Sequence, residues 1–260
     1  MAWVLNLGDI ERFLLVFFRV GGIFIFAPFF ASFNIPARVK ISFSFAISLL
    51  LFLTLRPKMG WRRDVPFLYL ALEALYEMGV GVAIAFVMSL IFTGIKVSGQ
   101  LIGLKMGFGI ANIIAPSSNT QLPIIANLQY LLALMLFLSI NGHHLLLLSL
   151  SSSFDLIPLY GAKYDTPLLN YIIGLFGDVF VVALKISGPV IITILLTDIA
   201  LGMLARVMPQ MNIFMLGFPL KIAVGLLTLA ASIQVFGYFF INQLYKLKGE
   251  IFILLRLFKP

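Results

Sequence analysis

The sequence predicts an all-α membrane protein built from about six hydrophobic helices, some of them kinked or broken. Of its 260 residues, 62% are hydrophobic and only 11% are charged. Its mean hydropathy is +1.10. A soluble domain of this size leaves much of its surface in water and cannot bury so large an apolar share. The apolar residues also gather in runs, each near or above the ~17–25 residues with which a helix crosses a bilayer. Polar and turn-forming residues collect between these runs.

The elements follow in order. Phe13–Phe33 comes first. Asp9, Glu11 and Arg12 precede it and no small-residue cleavage pattern ends it, so it is expected to stay on the chain rather than leave as a signal peptide. Asn34–Arg38 then leads into Val39–Leu55, and Arg56–Val65 into Pro66–Ile95. The fourth run, Ile124–Leu150, is interrupted at Asn141-Gly142. Ser151–Pro167 leads into Leu168–Leu201, where Gly188-Pro189 predicts a kink or break. Gly202–Asn212 connects to Ile213–Leu244. The tail, residues 246–260, sets Lys246, Lys248, Arg256 and Lys259 on an apolar background. It reads as an amphipathic interfacial helix or a docking element. With no internal repeat, a single domain over residues 1–260 is the simplest organisation.

Charge and cysteine content narrow the function. The net charge is +8, but its basic residues are scattered. They read as loop and head-group contacts with membrane lipid, not as a nucleic-acid surface. With no cysteine, disulfides and thiolate metal sites are excluded. Arg56, Lys58, Arg62 and Arg63 place the second connection in the cytoplasm, and Arg38, Lys40, Lys96 and Lys105 then fall on the opposite side. An ordinary multi-pass protein is more asymmetric, so either the runs are not simple crossings or the chain does not lie in the bilayer conventionally.

Enzyme signatures are absent or weak. His143 and His144 are adjacent and point in different directions on a helix, with no nearby carboxylate or cysteine to complete a metal set. Ser151, Ser152 and Ser153 lie near Asp155, but no nucleophile elbow is present. There is no Gly-Lys-Ser/Thr phosphate loop. No catalytic group, metal or cofactor is therefore expected.

Two features carry more information. In Lys96–Pro123, Gly99, Gly103, Gly107, Ala111 and Ala115 fall four apart. On a helix that spacing makes one flat stripe for close backbone approach. A proline and polar residues then break the helix. An irregular polar loop of this kind is tolerated at membrane depth if buried in protein or lining an aqueous path. Secondly, Arg19, Glu73, Glu77, Asp178, Lys185, Asp198 and Lys221 lie inside apolar runs, where each unpaired charge costs ~2.5–3.5 kcal/mol or more. Glu73 and Glu77 share a helix face, whereas Asp178 and Lys185, seven apart, are expected to pair elsewhere. Ion pairs that fix helix or subunit register lead. A proton path through the carboxylates and snorkelling to the interface stay open.

Four segments point to a known family: Ile35-Pro36-Ala37-Arg38-Val39-Lys40, the stretch Gly99–Gly107, Asn141-Gly142-His143, and Pro209-Gln210-Met211-Asn212-Ile213-Phe214 leading to Gly217-Phe218-Pro219-Leu220-Lys221. From about Phe13 to Phe240 the chain resembles the R/T-type export-gate subunit family of type III secretion, closer to its flagellar branch. The resemblance implies helical hairpins in a hetero-oligomeric export gate of the inner membrane and flagellar basal body. The partners it implies are P-type and Q-type subunits, large export subunits, and unfolded exported flagellar proteins.

It also implies a plug loop over Met106–Pro123, with Met106, Phe108, Ile110, Ile113 and Ile114 as its bulky positions. Gly99, Gly103, Gly107 and Gly109 would serve close packing and hinging. Bulky apolar side chains on such a loop can dewet a constriction and still move aside. Glu73, Glu77, Asp178, Lys185, Asp198, Arg206, Pro209, Gln210, Asn212 and Lys221 would make the contacts of assembly. Pro209 and Pro219 are expected to shape a turn over Arg206–Lys221. The alternative is a proton-coupled small-solute secondary transporter, which would be expected to show a repeated half with paired broken helices.

Overall fold

A computed structural model describes residues 7–28, 30, 35–55, 66–108, 123–210 and 212–259. Among these residues the fold is eight helices and no strand: α1 Leu7–Phe26, α2 Ala37–Leu55, α3 Phe67–Met106, α4 Ile124–Ser139, α5 Gly142–Leu156, α6 Thr166–Val207, α7 Ile213–Ala231 and α8 Ile233–Leu257. Helices α2, α3 and α6 are long and apolar enough to cross a membrane. Up to five spans result if α4 with α5, and α7 with α8, each count as one broken span.

Helix starts are written locally. The carbonyls of Pro36, Pro66 and Pro123 accept the first intrahelical bonds of α2, α3 and α4. At α7 the Asn212 side chain accepts from the backbone N–H of Met215 at 3.3 Å, an N-cap. Asn141 adopts a left-handed conformation (φ 57°), which asparagine tolerates, and this divides the fourth apolar run into α4 and α5. The last run divides at Ser232, where the axis bends by 54°. The helix count is therefore eight where the apolar runs numbered about six.

At Pro189 there is no break: α6 runs through it as one helix of 42 residues. The proline cannot donate to the carbonyl of Lys185, and the two residues border a cavity of about 50 Å³ shared with Gln129 and Ser232. Pro219 likewise lies inside α7. The turn expected over Arg206–Lys221 is thus shorter, lying between Val207 and Ile213.

The chain divides into two compact units. The first comprises residues 1–90, 140–175 and 244–260. Its core holds Leu15, Val16, Val20, Ile84, Met88, Leu150 and Ile157. Phe13 packs edge-on against Phe45 and Phe52 at 5.3 and 5.9 Å, joining α1 to α2. Where α1 meets α3, Gly22 and Gly81 let the two backbones touch. A Cβ on either would overlap a carbonyl oxygen, that of Met78 or of Arg19. The basic tail is the second half of α8, because Leu244, Leu247, Ile251 and Leu254 keep the apolar stripe in phase with the helix. Its basic residues Lys246, Lys248, Arg256 and Lys259 are exposed.

The second unit comprises residues 91–139 and 176–243. Phe92 is ringed edge-on by Tyr130, Phe137 and Phe240 at 5.6–5.9 Å. A buried cluster of Ile102, Met106, Ile125, Val190, Ile194 and Leu229, with Phe108 and Ile222 against it, ties α3 to α4, α6 and α7.

Candidate functional site

The small-residue stem ends the third helix. Gly99 lies against the backbone of α4, where an added Cβ would sit 2.7 Å from the Ala126 nitrogen. Gly103 has ordinary clearance from Ile125, at 4.0 Å. Gly107 is not part of the helical stripe, because it caps the helix with φ 95°. Its N–H donates to the Leu104 carbonyl at 3.2 Å, and the Phe108 N–H donates to the Gly103 carbonyl at 3.0 Å. These two bonds are the Schellman pattern, which satisfies carbonyls that a helix end leaves open. Met106 is fully buried, and Phe108 packs on the cluster beneath it. The expected loop residues Gly109, Ile110, Ile113 and Ile114 lie outside the described residues.

The cap predicts a specific cost. Gly107→Ala forces a side chain into the left-handed region, at roughly 1–2 kcal/mol. Its Cβ also meets the Phe218 ring at 2.7 Å. Thermal unfolding of the purified protein should fall by at least that amount, and Gly107→Asn should be milder. An unchanged midpoint for Gly107→Ala would show that the cap does not form.

The buried charges are arranged as follows. Arg19 is fully buried, and its Nε and Nη2 both lie 2.5 Å from Oε2 of Glu77. Its Nη1 donates to Ser153 Oγ at 3.3 Å and to the Ile157 carbonyl at 3.1 Å. The guanidinium carbon lies 4.3 Å from the centre of the Phe154 ring. Glu77 Oε1 in turn accepts from the Tyr160 N–H at 3.4 Å. One ion pair therefore holds α1, α3, the end of α5 and the following turn together. Glu73 is buried one turn earlier on the same face as Glu77. Tyr164, further along that turn, donates to the Tyr76 carbonyl at 2.5 Å.

In the second unit Lys221 pairs with Asp198, both half-buried, joining α7 to α6. Asp178 and Lys185 are exposed along α6. Arg206 is exposed at the end of that helix, and Pro209 and Gln210 are exposed in the turn that Asn212 closes. Sequence reasoning had Arg19 and Glu77 among the charges expected to pair, but not the neutral groups around them. Ser153, Phe154, Ile157 and Tyr160 carry no charge pattern that would have revealed them.

Long apolar helices with charges matched inside the protein define a helical membrane protein whose polar groups hold helices together. Residues 10–247 match the bacterial export proteins, family 1, and the chain belongs to that family. The flagellar biosynthetic protein FliR of Bacillus subtilis (strain 168) is 35% identical over 229 residues, 86% of each chain. FliR of Escherichia coli (strain K12) is 30% identical over 230 residues, again 86% of each. FliR of Aquifex aeolicus (strain VF5) is 31% identical over 224 residues, 85% of this chain and 84% of the relative. Membership of an export family does not favour the small-solute transporter.

Proposed function

We propose that this chain is the R-type subunit of the flagellar type III export gate in the bacterial inner membrane, within the basal body. It assembles with P-type and Q-type subunits and a large export subunit, and unfolded flagellar proteins pass through the assembly. Its role is non-enzymatic. The observation that carries this reading is the family match over residues 10–247, nearly the whole chain. The closely packed, capped end of α3 supports a rigid stem from which a plug loop over residues 106–123 hangs. Ile110, Ile113 and Ile114 form an aliphatic seal there, with Phe108 at its base. Exposed Asp178, Lys185, Arg206 and Gln210 face partner subunits, and Asn212 caps the helix that follows them.

The test uses Ile110→Gly with Ile113→Gly, which leaves the Gly107 cap and Phe108 intact. Complexes co-purified with P-type and Q-type subunits should form in normal yield but leak small ions when reconstituted. Unchanged conductance would remove the two isoleucines from the seal. Solute uptake by the chain reconstituted alone would overturn the gate reading itself.

A further inference from the structure

The first unit contains an apolar cavity of about 450 Å³ lined by Phe17, Phe18, Gly21, Phe24, Ile25, Ala37, Lys40, Ile41, Ser44 and Met78. That volume lies within the ~300–1,000 Å³ typical of small-molecule sites. Its lining spans Phe17 to Ile25 along α1, roughly 12 Å at 1.5 Å per residue. It holds no acidic residue, and its polar side chains are Lys40 and Ser44.

Those two residues give the cavity a direction and a chemistry. The charges of α2 are Arg38 and Lys40, both in its first turn, and the helix carries no acid. The positive end of the helix dipole adds to them. Ser44 is buried, and its hydroxyl has no hydrogen-bond partner among the described residues. Its helix neighbours behave otherwise. The hydroxyls of Ser42, Ser48 and Thr54 each bond the carbonyl four residues back, at 2.6–2.9 Å. That is the usual resort of a helical hydroxyl. An unsatisfied buried hydroxyl costs ~1–3 kcal/mol unless something fills its need.

We propose that this cavity binds an anionic glycerophospholipid of the surrounding bilayer. One acyl chain lies between Phe17, Phe18, Phe24 and Ile41. The phosphate sits at Lys40 and the α2 N-terminus, and the ester oxygens lie within reach of the Ser44 hydroxyl. The charge selects the head group: a lone lysine beside a helix N-terminus, with no carboxylate in the lining, attracts an anion. An aliphatic helix from a partner protein would leave both Lys40 and Ser44 without a complement.

Native mass spectrometry of the assembled complex, in mild detergent with added phosphatidylglycerol or phosphatidylcholine, tests this. Phosphatidylglycerol should be retained about fivefold more than phosphatidylcholine, the preference one basic side chain gives near a membrane surface. Lys40→Gln should abolish the preference and Lys40→Arg should keep it. Ala37→Trp, which fills the cavity, should remove both lipids. Equal retention of the two lipids, or full retention by Lys40→Gln, would overturn the site. So would efficient cross-linking of Ala37→Cys to a partner subunit, an unambiguous probe because the chain has no cysteine. The inference rests on the chain lying in a bilayer. Loss of the wild-type chain from carbonate-washed membranes would overturn that placement and the site together. A retained chain without lipid preference overturns the site alone.

Discussion

Glu77→Leu or Arg19→Met alone should remove a large share of the folded protein, and Arg19→Met with Glu77→Leu should restore part of it. Both side chains are fully buried. Taking away one partner leaves an uncompensated charge out of water, a loss of about 3–5 kcal/mol. Against a total stability of ~5–15 kcal/mol that loss is decisive. Replacing both with apolar residues removes the charge problem. It also strands the Ile157 carbonyl and the Tyr160 N–H, which the pair now satisfies. Each such orphan costs about 1–3 kcal/mol, so the double variant recovers only part of the loss. Arg19→Lys should not substitute. An ammonium is a point donor and cannot serve Glu77, Ser153 and the Ile157 carbonyl from one plane while lying over Phe154. Thermal unfolding in detergent, or the yield of monodisperse protein, reads all four variants. The cycle isolates the coupling, expected to favour the double variant over the sum of the singles. Strict additivity would mean that the two charges act independently.

Much of the helix layout was legible, because apolar run length and proline position are local signals. Apolar run length alone misplaces a boundary where a polar residue packs against something distant, and the small-residue stripe corrects it. The third run ends at Ile95 on hydropathy, since Lys96, Ser98 and Gln100 follow. The helix continues to Met106, with Lys96 lying 4.3 Å from the centre of the Tyr130 ring and Gly99 packed against α4. Pro189 shows the converse: where local chemistry predicts a kink or break, the helix does not break, although the proline removes one of its hydrogen bonds. The candidate site was less legible. Glu77 stands out as a carboxylate in an apolar run, but its partner lies 58 residues away and two of its network's members are backbone groups. The regular stripe drew attention to Gly99, Gly103 and Gly107, of which Gly99 makes a tight helix contact and Gly107 serves as a cap. Another tight approach, between Gly22 and Gly81, has no repeat to announce it.

That approach carries the other large effect. Gly81→Ala should destabilise the protein by about 1–3 kcal/mol or more, whereas Gly249→Ala should leave it unchanged or slightly more stable. Alanine is intrinsically the better helix former by ~1 kcal/mol, so the sign depends on what the new methyl group meets. At Gly249 nothing lies within 4 Å. At Gly81 the methyl group would overlap the Arg19 carbonyl oxygen, with the carbonyl carbon at 3.0 Å and the Gly22 Cα at 3.3 Å. Those atoms are backbone, so no rotamer change relieves the clash and the two helices must separate. Separation draws Arg19 away from Glu77, because the obstructed carbonyl belongs to the residue whose side chain forms the pair. Gly81→Ala should therefore lose more than its own clash, and less of that excess should remain in the Arg19→Met/Glu77→Leu background. The unfolding midpoints of Gly81→Ala in the two backgrounds, with Gly249→Ala as control, decide the matter. Equal losses in both would show that the glycine crossing and the buried ion pair are separate constraints.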